Sequence, residues 1–157
     1  MICRDIATFP PHYSLNRYEE RWEGVGQLPP LKGSPVLFLP GSAGSGQQVR
    51  SLASVAAKAA ATNAGTGEAS RKLDFFFLDF AEEFSALSGK LLRSQAEFAA
   101  VCIGLILEMY REQGRSIESV VLVGHSMGGV VARSVFIAEG FVPGSVKSIL
   151  TLASPLR

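Results

Sequence analysis

The stretch Ser119-Val-Val-Leu-Val-Gly-His-Ser-Met-Gly-Gly-Val-Val-Ala-Arg133 decides the reading of this chain. Val120 to Val123 is a β-branched apolar run that predicts a buried strand. Gly124-His125-Ser126-Met127-Gly128 fits G-x-S-x-G, and Val131, Val135 and Ala138 then recur at helical spacing. Strand, tight turn and helix, in that order, are what push a serine hydroxyl out of a sheet edge, so Ser126 is the candidate nucleophile. Gly124 and Gly128 are the elbow glycines, because backbone bent that sharply leaves its neighbours no room for side chains. The N–H of Met127, opening the helix, is a candidate donor to an oxyanion formed when Ser126 attacks an acyl carbon.

Upstream, Val36-Leu-Phe-Leu39 predicts a second short strand, stopped by Pro40-Gly-Ser-Ala-Gly-Ser-Gly46. A glycine-rich loop after a strand suits either a phosphate or an oxyanion. The phosphate-loop lysine and the G-x-G-x-x-G spacing are both missing, which disfavours a nucleotide. In an α/β-hydrolase the corresponding loop gives the second oxyanion donor, here the N–H of Ser42 or Ala43.

Between these signals, Gln47 to Asn63 predicts an alanine-rich helix with Val49, Leu52, Val55 and Ala56 on one side, ended by the loop Asn63-Ala-Gly-Thr-Gly67. Leu73 to Phe80 predicts a buried strand whose Asp79, near its carboxyl end, either lines the site or, the favoured reading, caps the turn toward Glu82-Glu83. Ser94-Gln-Ala-Glu97 reads as a capping box opening a helix with Phe98, Val101, Cys102, Leu105 and Met109 on its apolar face, up to Gly114. Val146 to Leu152 predicts a last strand after the break at Gly140 and Pro143-Gly144. Strands and helices alternate from Val36 onward, which implies an α/β fold of α/β-hydrolase type. Its sheet is mainly parallel with helices on both faces. Residues 1–34 read as an irregular lead-in with one edge strand near Tyr13 to Tyr18, and residues 35–157 as a partial, C-terminally truncated α/β-hydrolase domain.

Composition fits one globular unit: 157 residues, 47% apolar and 18% charged. Fifteen basic against fourteen acidic residues, with no basic cluster interleaved with aromatics, argues against a nucleic-acid partner. Cys3 and Cys102 have no metal-ligand spacing, so neither metal nor cofactor is expected, and Cys102 falls on a helix's apolar face. The apolar run Phe98 to Leu107 is half of the ~20 residues that cross a bilayer, and the first residues lack the apolar core of a signal peptide. Neither a transmembrane nor a signal segment is expected in this chain.

Pro35-Val-Leu-Phe-Leu-Pro-Gly-Ser-Ala-Gly-Ser45, Gln48-Val-Arg-Ser51, Asp74 to Phe80 with Glu82-Glu-Phe-Ser-Ala-Leu87, Gly124 to Arg133, and Thr151-Leu-Ala-Ser-Pro155 together resemble the GPI inositol-deacylase family. The likeness spans roughly residues 35 to 155. It implies a serine ester hydrolase that removes the acyl chain from the inositol of GPI-anchored proteins, aiding their export and quality control at the endoplasmic reticulum membrane. On that reading acylated inositol phospholipid is the substrate, Ser126 matches the family's nucleophile, and membrane association runs through segments absent here. Ser42 stands where the family usually has Asn, and Gly46 replaces a common aromatic.

A serine hydroxyl needs a base, and in this fold the order is Ser, then Asp or Glu, then His. The only histidines are His12, in the lead-in and expected on the surface, and His125, expected to pack beside the elbow with its ring turned away from Oγ. The chain therefore reads as a fragment, inactive by itself for want of an acid and a base, with an apolar last strand prone to association. The alternatives are a soluble lipase, thioesterase or acyltransferase using the same elbow, and a hydrolase-like module that binds without turnover.

Overall fold

The computed structural model describes residues 9–19, 29–42, 44, 48–63, 72–83 and 88–155. The strands are β1 (Ser14–Tyr18), β2 (Ser34–Leu39), β3 (Leu73–Asp79), β4 (Val120–His125) and β5 (Val146–Leu152); the helices are α1 (Gln48–Asn63), α2 (Gly89–Glu112) and α3 (Met127–Ser134). They form one five-stranded sheet of order β1-β3-β2-β4-β5. β2 pairs in parallel with β3 and β4, and β4 in parallel with β5. Only β1 runs antiparallel, along β3, with Ser14 opposite Asp79. This is the α/β-hydrolase type of sheet, and the nearly continuous apolar runs of the central strands β2 and β4 reflect burial on both faces.

Two apolar clusters occupy the two faces. Leu37, Leu39, Phe76, Leu78 and Leu122 pack against α2 and α3 through Phe98, Ala99, Cys102, Ile103, Ile106, Val131 and Ala132. Val36, Phe38, Phe75 and Val123, one residue out of phase along the same strands, pack against Val49 and Ala53 of α1. Cys102 is fully buried within the first cluster, as its helix position predicts.

Several local expectations shift. The edge strand expected in the lead-in is β1, but the segment is more than a surface approach, since Tyr13 and Leu15 are fully buried in the larger core. α2 is capped six residues before the expected capping box, at Ser88, whose Oγ accepts the Leu91 N–H at 3.4 Å. Ser94 to Glu97 is helix interior, where Glu97 accepts from Arg93 one turn back, at 2.8 Å, instead of folding onto an N-terminus. On α1 the buried stripe runs through Val49, Leu52, Ala53 and Ala56, while Val55 is exposed. The helical spacing after the elbow ends early: α3 stops at Ser134 and Val135–Ile137 tightens into a 3₁₀ turn. The predicted loop beyond Asn63 lies outside the described residues.

A polar clamp fixes the approach to β2. Asp74 Oδ2 accepts the N–H groups of Lys32 (2.9 Å) and Gly33 (2.7 Å) and the hydroxyl of Tyr110 (2.6 Å). Leu31 donates to Gln113 at 2.8 Å, and Arg115 donates to the Leu31 carbonyl at 2.9 Å. These bonds satisfy the backbone of Leu31 to Gly33, the short stretch between Pro29-Pro30 and β2.

Candidate active site

β4 delivers Ser126 to the carboxyl edge of the sheet. Ser126 has φ 53° and ψ −123°, left-handed backbone that a residue with a Cβ occupies only at a cost of about 1–3 kcal/mol. The neighbours hold it there. Its N–H donates to the Leu152 carbonyl at 2.8 Å, and its carbonyl accepts the Gly129 N–H at 3.1 Å, the first turn of α3.

The elbow glycines are explained by what a Cβ would meet. At Gly128 it would stand 2.1 Å from the Leu39 carbonyl oxygen and 2.6 Å from that of Pro40. At Gly124 it would stand 2.5 Å from the Gly129 α-carbon, so α3 leaves the sheet flush against the strand it follows. Each approach is closer than a Cβ tolerates, which makes glycine a steric requirement at both positions.

Sequence reasoning did not single out Gly41. A Cβ on Gly41 would lie 2.9 Å from the Ser126 Cβ, 3.2 Å from the His125 carbonyl oxygen and 3.5 Å from His125 Nδ1. The loop after β2 therefore lies directly against the serine, which is where a second oxyanion donor has to be. Ser42 follows Gly41 in that loop and is half-buried, whereas Ala43 lies outside the described residues. Met127, at the first position of α3, has an N–H with no partner inside its helix. The signal for Gly41 was the Pro-Gly step after β2, which read as the start of an oxyanion loop with its donor at Ser42 or Ala43 and not as a close approach to Ser126.

Among the described residues the side-chain hydrogen bonds include none from either histidine to the Ser126 hydroxyl. His125 Nδ1 is buried without a hydrogen-bond partner among the described residues. His12 is on the surface as expected, but it is not idle. Its Nε2 lies 3.0 Å from Glu83 Oε1, while Glu83 Oε2 accepts from the Tyr13 hydroxyl at 2.5 Å and from Gln95 Nε2 at 3.4 Å. Burial by itself raises the Glu83 carboxyl, yet the hydrogen bonds from Tyr13, His12 and Gln95, together with the His12 charge, hold it below the ordinary glutamate value. The Tyr13 phenol is pushed above its usual range, first by burial and then by Glu83. This cluster ties the start of β1 to the turn after β3, where Ala81 and Glu82 both have positive φ (51° and 59°) and Asp79 Oδ1 caps the turn by accepting the Ala81 N–H at 2.8 Å.

No cluster of three or more His, Cys, Asp or Glu among the described residues could hold a metal ion, and no described helix is long and apolar enough to cross a membrane.

Sheet order, the strand-to-helix turn and the loop beside it define an α/β-hydrolase-type domain. Solved structures agree on the fold: a Bacillus licheniformis lipase superposes with a TM-score of 0.51 at 20% identity, over 91% of this chain and 46% of that one. A siderophore hydrolase from Aspergillus fumigatus gives 0.60 at 14%, over 88% of this chain and 38% of the other. At these identities the likeness is one of fold alone. Within the class, the chain belongs to the family described as the PGAP1-like alpha/beta domain, which matches residues 30–157. It is 44% identical to a GPI inositol-deacylase of Phaeosphaeria nodorum over 94% of its length, 42% to that of Schizosaccharomyces pombe over 94%, and 43% to that of Drosophila melanogaster over 93%. It spans 14–15% of the length of these curated relatives.

Proposed function

We propose that this domain carries the nucleophile of a carboxylic-ester hydrolase that removes the acyl chain from the inositol of GPI-anchored proteins, at the endoplasmic reticulum membrane. The observation that carries the reading is Ser126 at φ 53°, ψ −123°, between β4 and α3, with Gly41 of the neighbouring loop against its Cβ. The 42–44% identity to enzymes named GPI inositol-deacylase supports the substrate.

In this reading Ser126 Oγ attacks the acyl carbonyl carbon as a base takes its proton. The carbonyl π electrons move to oxygen, and the oxyanion is met by the N–H of Met127 and that of Ser42 or Ala43. Collapse breaks the bond to the inositol oxygen, which leaves with the proton returned by the base. Water then releases the fatty acid from Ser126. In this reading the elbow and the loop after β2 set where the charge develops.

The test is a fluorophosphonate probe on the full-length protein. A single adduct mapped to Ser126, abolished by Ser126→Ala, is the expected result. An adduct on another serine, or none in a protein shown to hydrolyse its substrate, counts against the assignment.

A further inference from the structure

Thr151-Leu-Ala-Ser-Pro155 leaves the end of β5 and folds back over the first turn of α3. The Leu152 carbonyl, which accepts the Ser126 N–H at 2.8 Å, also lies 3.3 Å from Ser154 Oγ, and the same hydroxyl is 3.3 Å from the Gly124 carbonyl. Ala153, between them, has φ 48°, a left-handed conformation unusual outside glycine. Arg133 of α3 donates to the Pro155 carbonyl. Gly129 lacks a side chain just where Ser154 sits, since a Cβ there would be 2.1 Å from Ser154 Oγ.

Two of these contacts converge on Ser126. Its amide is held by the Leu152 carbonyl, and Gly124, two residues before it, shares the Ser154 hydroxyl. We propose that Ser154 is a positioning residue for Ser126: it holds the acceptor of the Ser126 amide and the strand end that precedes the turn, and so keeps the serine in its strained backbone state. The proposal rests on Ser126 being the nucleophile for its catalytic meaning, but the positioning itself does not. Ser154 has one hydroxyl proton for two carbonyls, so it serves them in alternation while its bulk fills the notch at Gly129.

Without the hydroxyl, Ser126 is free to relax toward unstrained φ, and a nucleophile displaced by about 1 Å loses up to ~100-fold in rate. Ser154 reacts with nothing, so the half-saturating concentration of a probe is unaffected and the loss falls on the maximal rate.

The experiment compares wild type, Ser154→Ala and Gly129→Ala, whose new methyl displaces the Ser154 hydroxyl, in the full-length protein. Two quantities are read: the saturation kinetics of fluorophosphonate labelling at Ser126, and hydrogen exchange of the Ser126 amide. Both variants are expected to label about 10- to 100-fold more slowly at saturating probe, with the half-saturating concentration unchanged, and to exchange the Ser126 amide several-fold faster. Wild-type labelling and wild-type exchange in Ser154→Ala overturn the proposal, as does a raised half-saturating concentration with an unchanged maximal rate. If wild type itself does not label, the nucleophile reading fails separately; faster exchange in Ser154→Ala then still supports the positioning role, and unchanged exchange overturns it.

Discussion

Gly128, at the start of α3, lies so close to Leu39, at the end of β2, that a Cβ on the glycine would stand 2.1 Å from the leucine carbonyl oxygen. Backbone meets backbone there, so neither side can yield by changing a rotamer. Gly128→Ala is expected to cost about 3 kcal/mol through overpacking and to lower the urea midpoint without changing the slope. An alanine variant as stable as wild type contradicts this packing.

Gly41→Ala acts on a different partner. Its Cβ would press on the Ser126 Cβ at 2.9 Å, so the serine moves more than the fold suffers. Fluorophosphonate labelling is expected to fall about tenfold or more, with a smaller loss of stability than in Gly128→Ala. Equal labelling of the two proteins would argue that the loop after β2 does not bear on Ser126.

How far the sequence carries follows from which interactions are local. The β4 strand, Ser126 and its two glycines were legible, because strand, turn and helix lie within one continuous stretch. Ser94 to Glu97 misled because a capping box is a local pattern, and nothing within it reports that Ser88 already caps the same helix. Gly41, Ser154 and the Glu83 cluster were not legible as site elements. Their meaning comes from strand neighbours, β2 and β5 on either side of β4 and β1 beside β3, which only the folded sheet brings together. His12 illustrates this: a surface histidine from its surroundings in the sequence, it meets a carboxylate 71 residues away.

That carboxylate makes stability depend on pH. Glu83 titrates below the ordinary glutamate value in the folded chain, against about 4.3 unfolded. Its contribution is therefore present above the unfolded value and lost as pH falls through the folded one. Glu83→Gln is expected to cost about 1.5–3 kcal/mol at pH 7 and to flatten the loss of stability on acidification below about pH 4.3. Urea unfolding between pH 7 and 3 measures both, and an unchanged acid slope would remove Glu83 from the account.

Asp74→Ala strands three donors at once, the N–H groups of Lys32 and Gly33 and the Tyr110 hydroxyl. The expected loss is about 2–4 kcal/mol, with faster hydrogen exchange at Lys32 and Gly33. Protection retained at those amides would show that the approach to β2 is held by something other than this carboxylate.

On the proposed reading Ser126 Oγ is the nucleophile that accepts the acyl group from inositol, and one measurement meets this directly. Purified full-length protein and its Ser126→Ala variant, equally folded, are given inositol-acylated GPI, and released fatty acid is followed with time. Release in the variant slower by about a thousandfold or more is the predicted result. Release at a rate near that of wild type would contradict the account.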